Sequence, residues 1–573
     1  MQTQHDLSSK KQDNPVSSAC VPCRSRHLKC DALAPTCSRC QTTDTNCYYI
    51  QSRRGLRPQK ADNAPRIVPS QASFPPGESS DTDAILGSNY DPAMFSGLGM
   101  DDLSSEFLLG SVPTPIGHIQ QSLEQTLEAS STLNLPNAVD IPPNELVPAV
   151  GDRSKSPSSG EVAFDPMIQL YYQNFHGSHP FAVPWKAVNS PLCQYLPSYL
   201  LSTMRYIGSH YHPNPSFRDI YQRKAHRELS SDTSRTGFKV QGLLLISIVD
   251  HSSGYEDRAL QTLETAIKMA LDIQMNTESF VLRNSGGNAV LEESWRRTYW
   301  ELYVVSGLFA AFRQETTFAL HSQYADVRLP CRDELYNVAG VIPRGVTLEA
   351  FQNFWLRDDS SNNFSSFSYR IQATQILGTI LSLGHYMDNS DEAQAEAIDS
   401  RLASISMHLP PAQREVYRSD GVLDEMTLQA QMINYLSLIS LHYPRSNMRF
   451  VPFRNPSSCV RQQTIEDGSN TLPNLDLHSV KSLRAADMLA SLAALPSPIK
   501  RQTPFMTCGL AITVTVHIAA ALTQAGGARL DTLKARIDLA LGGLNMLGEV
   551  WPLARAIRKQ LLGLYSEMIS KNG

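Results

Sequence analysis

The sequence predicts a small metal-stabilised domain and a large all-α domain, joined by a disordered acidic linker. Three observations carry this. Six cysteines lie between Cys20 and Cys47, and each cysteine of the first triplet recurs 17 residues later. Residues 61–160 hold thirteen acids against three bases and are rich in Pro, Ser and Gly. From about residue 161 onward, apolar residues recur at helical spacing and strand alternation is almost absent. The boundaries read as a disordered N-terminus over 1–15, the cysteine domain over 16–50, the linker over 51–160 and the helical domain over 161–573.

The cysteines are Cys20, Cys23, Cys30, Cys37, Cys40 and Cys47, a C-x2-C-x6-C triplet written twice. A disulfide framework belongs to secreted chains, and MQTQHDLSSKKQDNP has no apolar run of the signal-peptide kind. C-x2-C pairs suit zinc, which takes a closed tetrahedron of soft donors. Two tetrahedral ions need eight bonds and only six thiolates are present. The shortage is resolved if two thiolates bridge both ions, giving two Zn2+ ions per chain.

The segment ACVPCRSRHLKCDALAPTCSRCQTTDTNC resembles the binuclear cluster of the fungal Zn2Cys6 transcription regulators, with all six ligand positions matched. The resemblance implies that the first and fourth cysteines, Cys20 and Cys37, are the shared pair. Pro35 matches the proline that turns the connector between the two halves.

The loading of the two halves bears on what the cluster touches. The first carries Arg24, Arg26, His27 and Lys29 between its second and third cysteines, whereas QTTDTN at the equivalent positions carries no base. Residues 1–60 have a net charge of +6, and six thiolates with two zinc ions leave +4. Such a small basic module attracts a nucleic-acid backbone. The resemblance makes the partner double-stranded DNA. It places a short helix after Cys23 in the major groove, with Arg26 and His27 at positions that face a CGG-type triplet and Arg24 and Lys29 nearer phosphates or the fold. His27 departs from the lysine that many members carry, so its reach is shorter and its charge depends on pH.

After the cluster, Arg53, Arg54, Arg57 and Lys60 form a short basic run suited to the DNA backbone, to setting the course of the linker or to nuclear import. Localisation to the nucleus follows from the need to reach DNA. Residues 61–160 carry a net charge of −10 and include MDDLSSEFLL, so residues 95–110 are expected to act as an activation segment that folds onto a coactivator. Leu123, Leu127 and Leu133 make no repeated heptads, so a homodimer would have to form through a very short element or through the body.

In the body, Leu260, Leu263, Ile267 and Leu271 fall at helical spacing, as do Trp295, Tyr299, Leu302 and Phe309. Further helices are expected over 196–211, 237–250, 365–387, 391–408, 423–443, 478–495, 503–524, 529–548 and 553–570. Pro444, Pro496 and Pro552 stand where helices should stop or start. The stretches IQLYYQNFHGSHPF, VQGLLLISIVDHSSGYEDRALQTLETAIKMALDIQMN, ESWRRTYWELYVVSGLFAAFRQE and YADVRLPC resemble the middle homology domain of the same family, which modulates activity in its members.

Gln502 to Ala528 carries no charge and is long enough to span a bilayer. Its threonines and His517 point instead to a buried core helix, so no membrane partner is expected. Trp295, Tyr299, Trp300 and Tyr303 read as core. Cys193, Cys331, Cys459 and Cys508, far apart in the chain, read as buried thiols. No G-x-S-x-G elbow, phosphate-cradling glycine loop or H-E-x-x-H site is present, so no enzyme is expected. Thiol redox chemistry is the competing reading of the C-x2-C pairs. The reading is a DNA-binding RNA polymerase II regulator, an activator on the strength of its acidic linker, controlling a secondary-metabolite gene cluster or else a catabolic pathway.

Overall fold

The computed structural model describes residues 20, 22–23, 28–33, 36–43, 47, 162–353, 364–383, 389–448, 476–523 and 528–572. The cysteine unit and the body separate as compact units. Of the linker's expected activation segment, 95–110, all lies outside the described residues.

In the cysteine unit Ser38–Thr42 form a short helix, α1; Pro22 and Cys23 are also helical, and the residues that would continue the helix expected after Cys23 lie outside the described ones. The described body is mostly helical, and among its described residues the one β feature is an isolated bridge between Tyr417 and Leu423. Its principal helices are α2 (Pro166–Asn174), α3 (Ser198–Ser209), α4 (Ser216–Ser231), α5 (Gly237–Ser252), α6 (Glu256–Asp272), α7 (Ala289–Arg313), α8 (Ser366–Ser382), α9 (Asn389–His408), α10 (Glu425–His442), α11 (Leu477–Leu492), α12 (Met506–Thr523), α13 (Ala528–Leu547) and α14 (Pro552–Asn572). Short helices such as Glu278–Arg283 and Asp333–Val338 fill the connections.

Local chemistry sets the ends of these helices. Asp165, Thr236, Asn288, Asp424 and Asp476 cap α2, α5, α7, α10 and α11 by accepting hydrogen bonds from first-turn amides. Pro552 opens α14 at a position where the missing N–H costs nothing. Gln314 closes α7 with φ +56°, and its amide donates to Ala310 O.

Consecutive helices pack as neighbours: α3 on α4, α5 on α6, α10 on α11, α12 on α13. α8 lies along α10, and α14 packs against α12 and reaches α5. Gly208 lets α2 and α3 approach closely, because a side chain there would meet the carbonyl of Met167. Every residue of α5 is buried, and α7 is buried over nearly its whole length. Both are central helices, buried on every side. Trp295, Tyr299, Trp300 and Tyr303 are core residues on α7, as expected, each at most 4% exposed. Tyr299, Trp300 and Tyr303 meet edge to face. α12 is the one described helix long and apolar enough to cross a membrane, and it is 78% buried inside the body.

The core also holds charge. On α7, Glu301 receives Arg370 of α8 at 2.6 and 2.9 Å and His179 Nδ1 at 2.7 Å, all three groups fully buried. Arg297 donates to Glu293 at 2.8 Å, Asp333 at 2.7 Å and the Cys331 carbonyl at 2.7 Å. Gln241 donates to the Phe181 carbonyl at 3.2 Å and Gln429 to the Ser178 carbonyl at 2.7 Å. The His176–Phe181 segment is thereby fixed between α5, α7 and α10, so its buried backbone carbonyls are satisfied. Burial acts to raise the Glu301 carboxyl, but Arg370 and the His179 hydrogen bond outweigh it and hold the group down to about 2.

Two expectations need correction. α4 was not foreseen: of its sixteen residues only Ala225 and Leu229 are buried, so its apolar stripe is too thin to read from periodicity. Cys193 and Cys331 are buried free thiols. Cys508 departs from the thiol reading and is disulfide-bonded, a pairing that chain spacing does not announce. Cys459 lies outside the described residues.

Candidate metal centre and nucleic-acid interface

All six clustered cysteines are free thiols, and Cys20, Cys23, Cys37 and Cys40 are at most 3% exposed. Their sulfurs form two groups of four. One is Cys20, Cys23, Cys30 and Cys37; the other is Cys20, Cys37, Cys40 and Cys47. Within each group the sulfurs lie within 4.8 Å of one another, and Cys20 and Cys37 belong to both. Cys20 Sγ is 3.6 Å from Cys37 Sγ and 3.7 Å from Cys40 Sγ, and Cys23 Sγ is 3.7 Å from Cys37 Sγ. A zinc tetrahedron with bonds of about 2.3 Å has sulfur–sulfur edges of about 3.8 Å. The six residues therefore fit two zinc ions with shared sulfurs, the arrangement that ligand counting requires.

The 17-residue repeat of the sequence is a repeat of hydrogen bonds. The Cys20 amide donates to Cys30 Sγ at 3.4 Å, and the Cys37 amide donates to Cys47 Sγ at 3.3 Å. The Ala32 amide adds a second bond to Cys30 Sγ at 3.4 Å. Cys37 caps α1, its sulfur accepting from the Cys40 amide at 3.5 Å. The carboxylate of Asp31 accepts from the Ser38 amide at 3.2 Å and so ties the connector to the start of α1.

These bonds divide the thiols. The Cys40 amide brings Cys37 down to about 6, and the amides of Cys20 and Ala32 lower Cys30. Burial pushes Cys20 and Cys23 up, and Cys40 up to about 12. Thiolate is the form that ligates metal. Two bound zinc ions supply the positive charge that holds six closely packed sulfurs together as thiolates. The chain contributes the amides that steady Cys30, Cys37 and Cys47, and the buried setting that keeps solvent from the shared pair.

Of the bases expected at DNA, Lys29 is exposed beside Cys30. Arg24, Arg26, His27, Arg53 and Arg54 lie outside the described residues, as does Pro35. Arg39 is a further exposed cation, on α1 between Cys37 and Cys40. The comparison of RSRHLK with QTTDTN passed over it because it sits inside a C-x2-C pair.

The family model described as the fungal Zn(2)-Cys(6) binuclear cluster domain matches residues 18–56, and the one described as the fungal specific transcription factor domain matches residues 168–409. The C6 finger domain transcription factor iacK of Pestalotiopsis fici is 30% identical over 576 residues, covering 97% of this chain and 81% of that protein. The nitrogen assimilation transcription factor nirA of Emericella nidulans is 24% identical over 353 residues, covering 50% of this chain and 39% of that protein. Adhesion and hyphal regulator 1 of Candida albicans is 41% identical over 51 residues, covering 9% of this chain and 7% of its own. No solved structure matches the chain. The shared-sulfur geometry, the two family models and the chain-long relative agree, and the chain belongs to the fungal Zn2Cys6 family of DNA-binding transcription regulators.

Proposed function

We propose that this regulator is a nuclear activator of RNA polymerase II transcription that reads CGG-type half-sites through the first half of its cluster. The observation that carries the reading is the membership of Cys20 and Cys37 in both four-sulfur groups. Cys20, Cys23, Cys30, Cys37, Cys40 and Cys47 are then the ligands of two zinc ions, and the basic loop RSRHLK belongs to the first half, while the second carries Arg39 alone.

Arg26 and His27 meet base edges, while Arg24, Lys29, Arg53 and Arg54 meet phosphates or buttress the fold. Residues 16–50 form the reading unit, 51–160 the acidic linker with its coactivator-facing segment at 95–110, and 161–573 the regulatory body. A homodimer would form through a very short element after the cluster or through the body, since the sequence after the cluster offers no heptads. The acidic linker supports activation, and the lean, heptad-free chain supports control of a secondary-metabolite gene cluster. Members of the family are transcription factors, and the chain carries no catalytic motif. Mapping bound sites across the genome tests the assignment: enrichment of CGG-containing sites beside one biosynthetic cluster agrees with it, and sites without CGG triplets contradict it.

A further inference from the structure

α9, α10 and α11 meet at a pair of histidines whose hydrogen bonds do not balance for neutral rings. His442 ends α10, His478 stands in the first turn of α11, and their Nδ1 atoms lie 3.0 Å apart. His442 Nε2 is 3.1 Å from Asp399 Oδ1 and His478 Nε2 is 3.1 Å from Glu392 Oε1, both carboxylates belonging to α9. An ionised carboxylate only accepts, so each ring carries a hydrogen on Nε2. A neutral imidazole has one N–H, which leaves both Nδ1 atoms as acceptors, lone pair against lone pair. Only a cation between them makes the contact favourable.

A proton fits there and a metal ion does not. The 3.0 Å spacing is that of an ordinary N–H donor and its acceptor. A metal ion needs further ligands, and among the described residues the groups of three or more His, Cys, Asp or Glu atoms close enough to share one are those of the cysteine cluster. The charges agree: Asp399 and Glu392 against Lys481 leave one negative charge at the junction, which one proton on the pair neutralises.

We propose that His442 and His478 form a proton-operated clamp that fixes α9 to α10 and α11. With His478 protonated, its Nδ1–H is donated to His442 and its Nε2–H to Glu392, and α9 is held. Without that proton the two Nδ1 lone pairs oppose each other and the first half of α9 comes away. His442 is the neutral member: it is 2% exposed, and burial lowers it more than the Asp399 hydrogen bond raises it. His478 is 20% exposed and so can exchange its proton with solvent.

The other charges at the junction do not change with it. Lys481 of α11 donates to Asp399 at 2.6 Å. Burial acts to raise Asp399, but the hydrogen bonds from His442 and Lys481 outweigh it and hold the carboxyl at about 2, so it stays ionised where imidazole titrates. Arg445, in the turn after α10, donates to the Leu441 carbonyl at 2.7 Å, and Asp476 caps α11. α8 brings only Ile376 and Ile380 to the cluster beneath α9.

α9 is also built to respond. Among its described side chains only Ala395 and Leu402 are buried, and they join a small apolar cluster separate from the main core. An element with so few buried contacts opens locally at low cost. It lies at the end of the stretch 168–409 that matches the transcription factor domain. Closed α9 binds one proton more than open α9, so closure strengthens as pH falls and weakens as pH rises.

Amide hydrogen exchange read by mass spectrometry on the full-length zinc-loaded chain tests this at pH 6 and pH 8, with each rate divided by its unstructured value at that pH. Protection across residues 392–408 is expected to be at least about tenfold higher at pH 6, with α5 and α7 unchanged. His478→Asn places an amide donor that does not titrate where Nδ1 was, and should keep α9 protected at pH 8. His478→Phe has no donor, and should leave α9 as weakly protected at pH 6 as wild type is at pH 8. Equal wild-type protection at the two pH values, a change shared by α5 and α7, or a pH dependence that survives in either variant would overturn the proposal.

Discussion

Cys20 and Cys37 stand 17 residues apart in the chain and 3.6 Å apart at Sγ, and each belongs to both groups of four sulfurs. This makes their removal unlike that of any other cysteine in the cluster. Cys37→Ser should lower the zinc content of the purified chain from two ions toward none, because both sites lose a ligand. Cys47→Ser touches one group and should leave a chain retaining close to one ion. Metal analysis by mass spectrometry distinguishes the two; equal losses would argue against a shared pair.

Bases that meet base edges and bases that meet phosphates have different signatures. Arg26→Ala should cost about 1–3 kcal/mol on a CGG-containing duplex and relax its preference over a scrambled one, with His27→Ala acting in the same direction. Lys29→Ala should weaken both duplexes alike and reduce the slope of log affinity against log salt by about one. Fluorescence anisotropy at several salt concentrations reads both effects, and unchanged affinity for Arg26→Ala and His27→Ala together would remove the assignment.

In the body, Arg370 and His179 both lean on Glu301, and none of the three is exposed. Arg370→Met leaves a buried carboxylate with a neutral imidazole as its nearest partner and should cost about 3–5 kcal/mol. Arg370→Met combined with Glu301→Leu should cost less than the single change, since no uncompensated charge remains. Because Glu301 is held down to about 2, this contribution is complete above the ordinary carboxylate pKa and fades as pH falls from about 4.5 toward 2. Urea melts at several pH values measure it, and an acid-independent cost would contradict the assignment.

Glu425 behaves in the opposite sense. Burial, helped by Asp424 beside it, pushes its carboxyl up to about 8, and Oε2 has no hydrogen-bond partner. A group raised in the fold contributes fully below its unfolded pKa and loses that contribution as pH rises through the folded value. Glu425→Gln should therefore match wild type near pH 4 and gain on it by up to about 1.4 kcal/mol per pH unit between pH 5 and 8. A thermal-shift pH series in which the difference between the two does not grow from pH 5 to 8 would show that the carboxyl is not held neutral.

Much of this architecture was legible before any coordinates. Cysteine spacing states ligand number directly, so the need for two shared sulfurs followed from counting. α7 declared itself by aromatic and aliphatic residues at helical spacing, and α12 by a long uncharged run. Thinly buried elements did not: α4 hides only Ala225 and Leu229. The polar core around Glu301 was also invisible, because Arg370 and His179 are 69 and 122 residues from their partner and only the fold brings them together. The basic loop of the first half was readable as a charge asymmetry, whereas Arg39 escaped it by lying inside a ligand pair.

The central claim is a two-zinc cluster with shared thiolates that makes DNA binding possible. It is tested most directly by counting zinc and reactive thiols on the purified full-length chain before and after chelation, while following its binding to a CGG-containing duplex. The account predicts two zinc ions per chain, six thiols that become reactive only when chelator removes the metal, and loss of DNA binding in step with that release. One zinc ion, or thiols released by reductant rather than chelator, would contradict it.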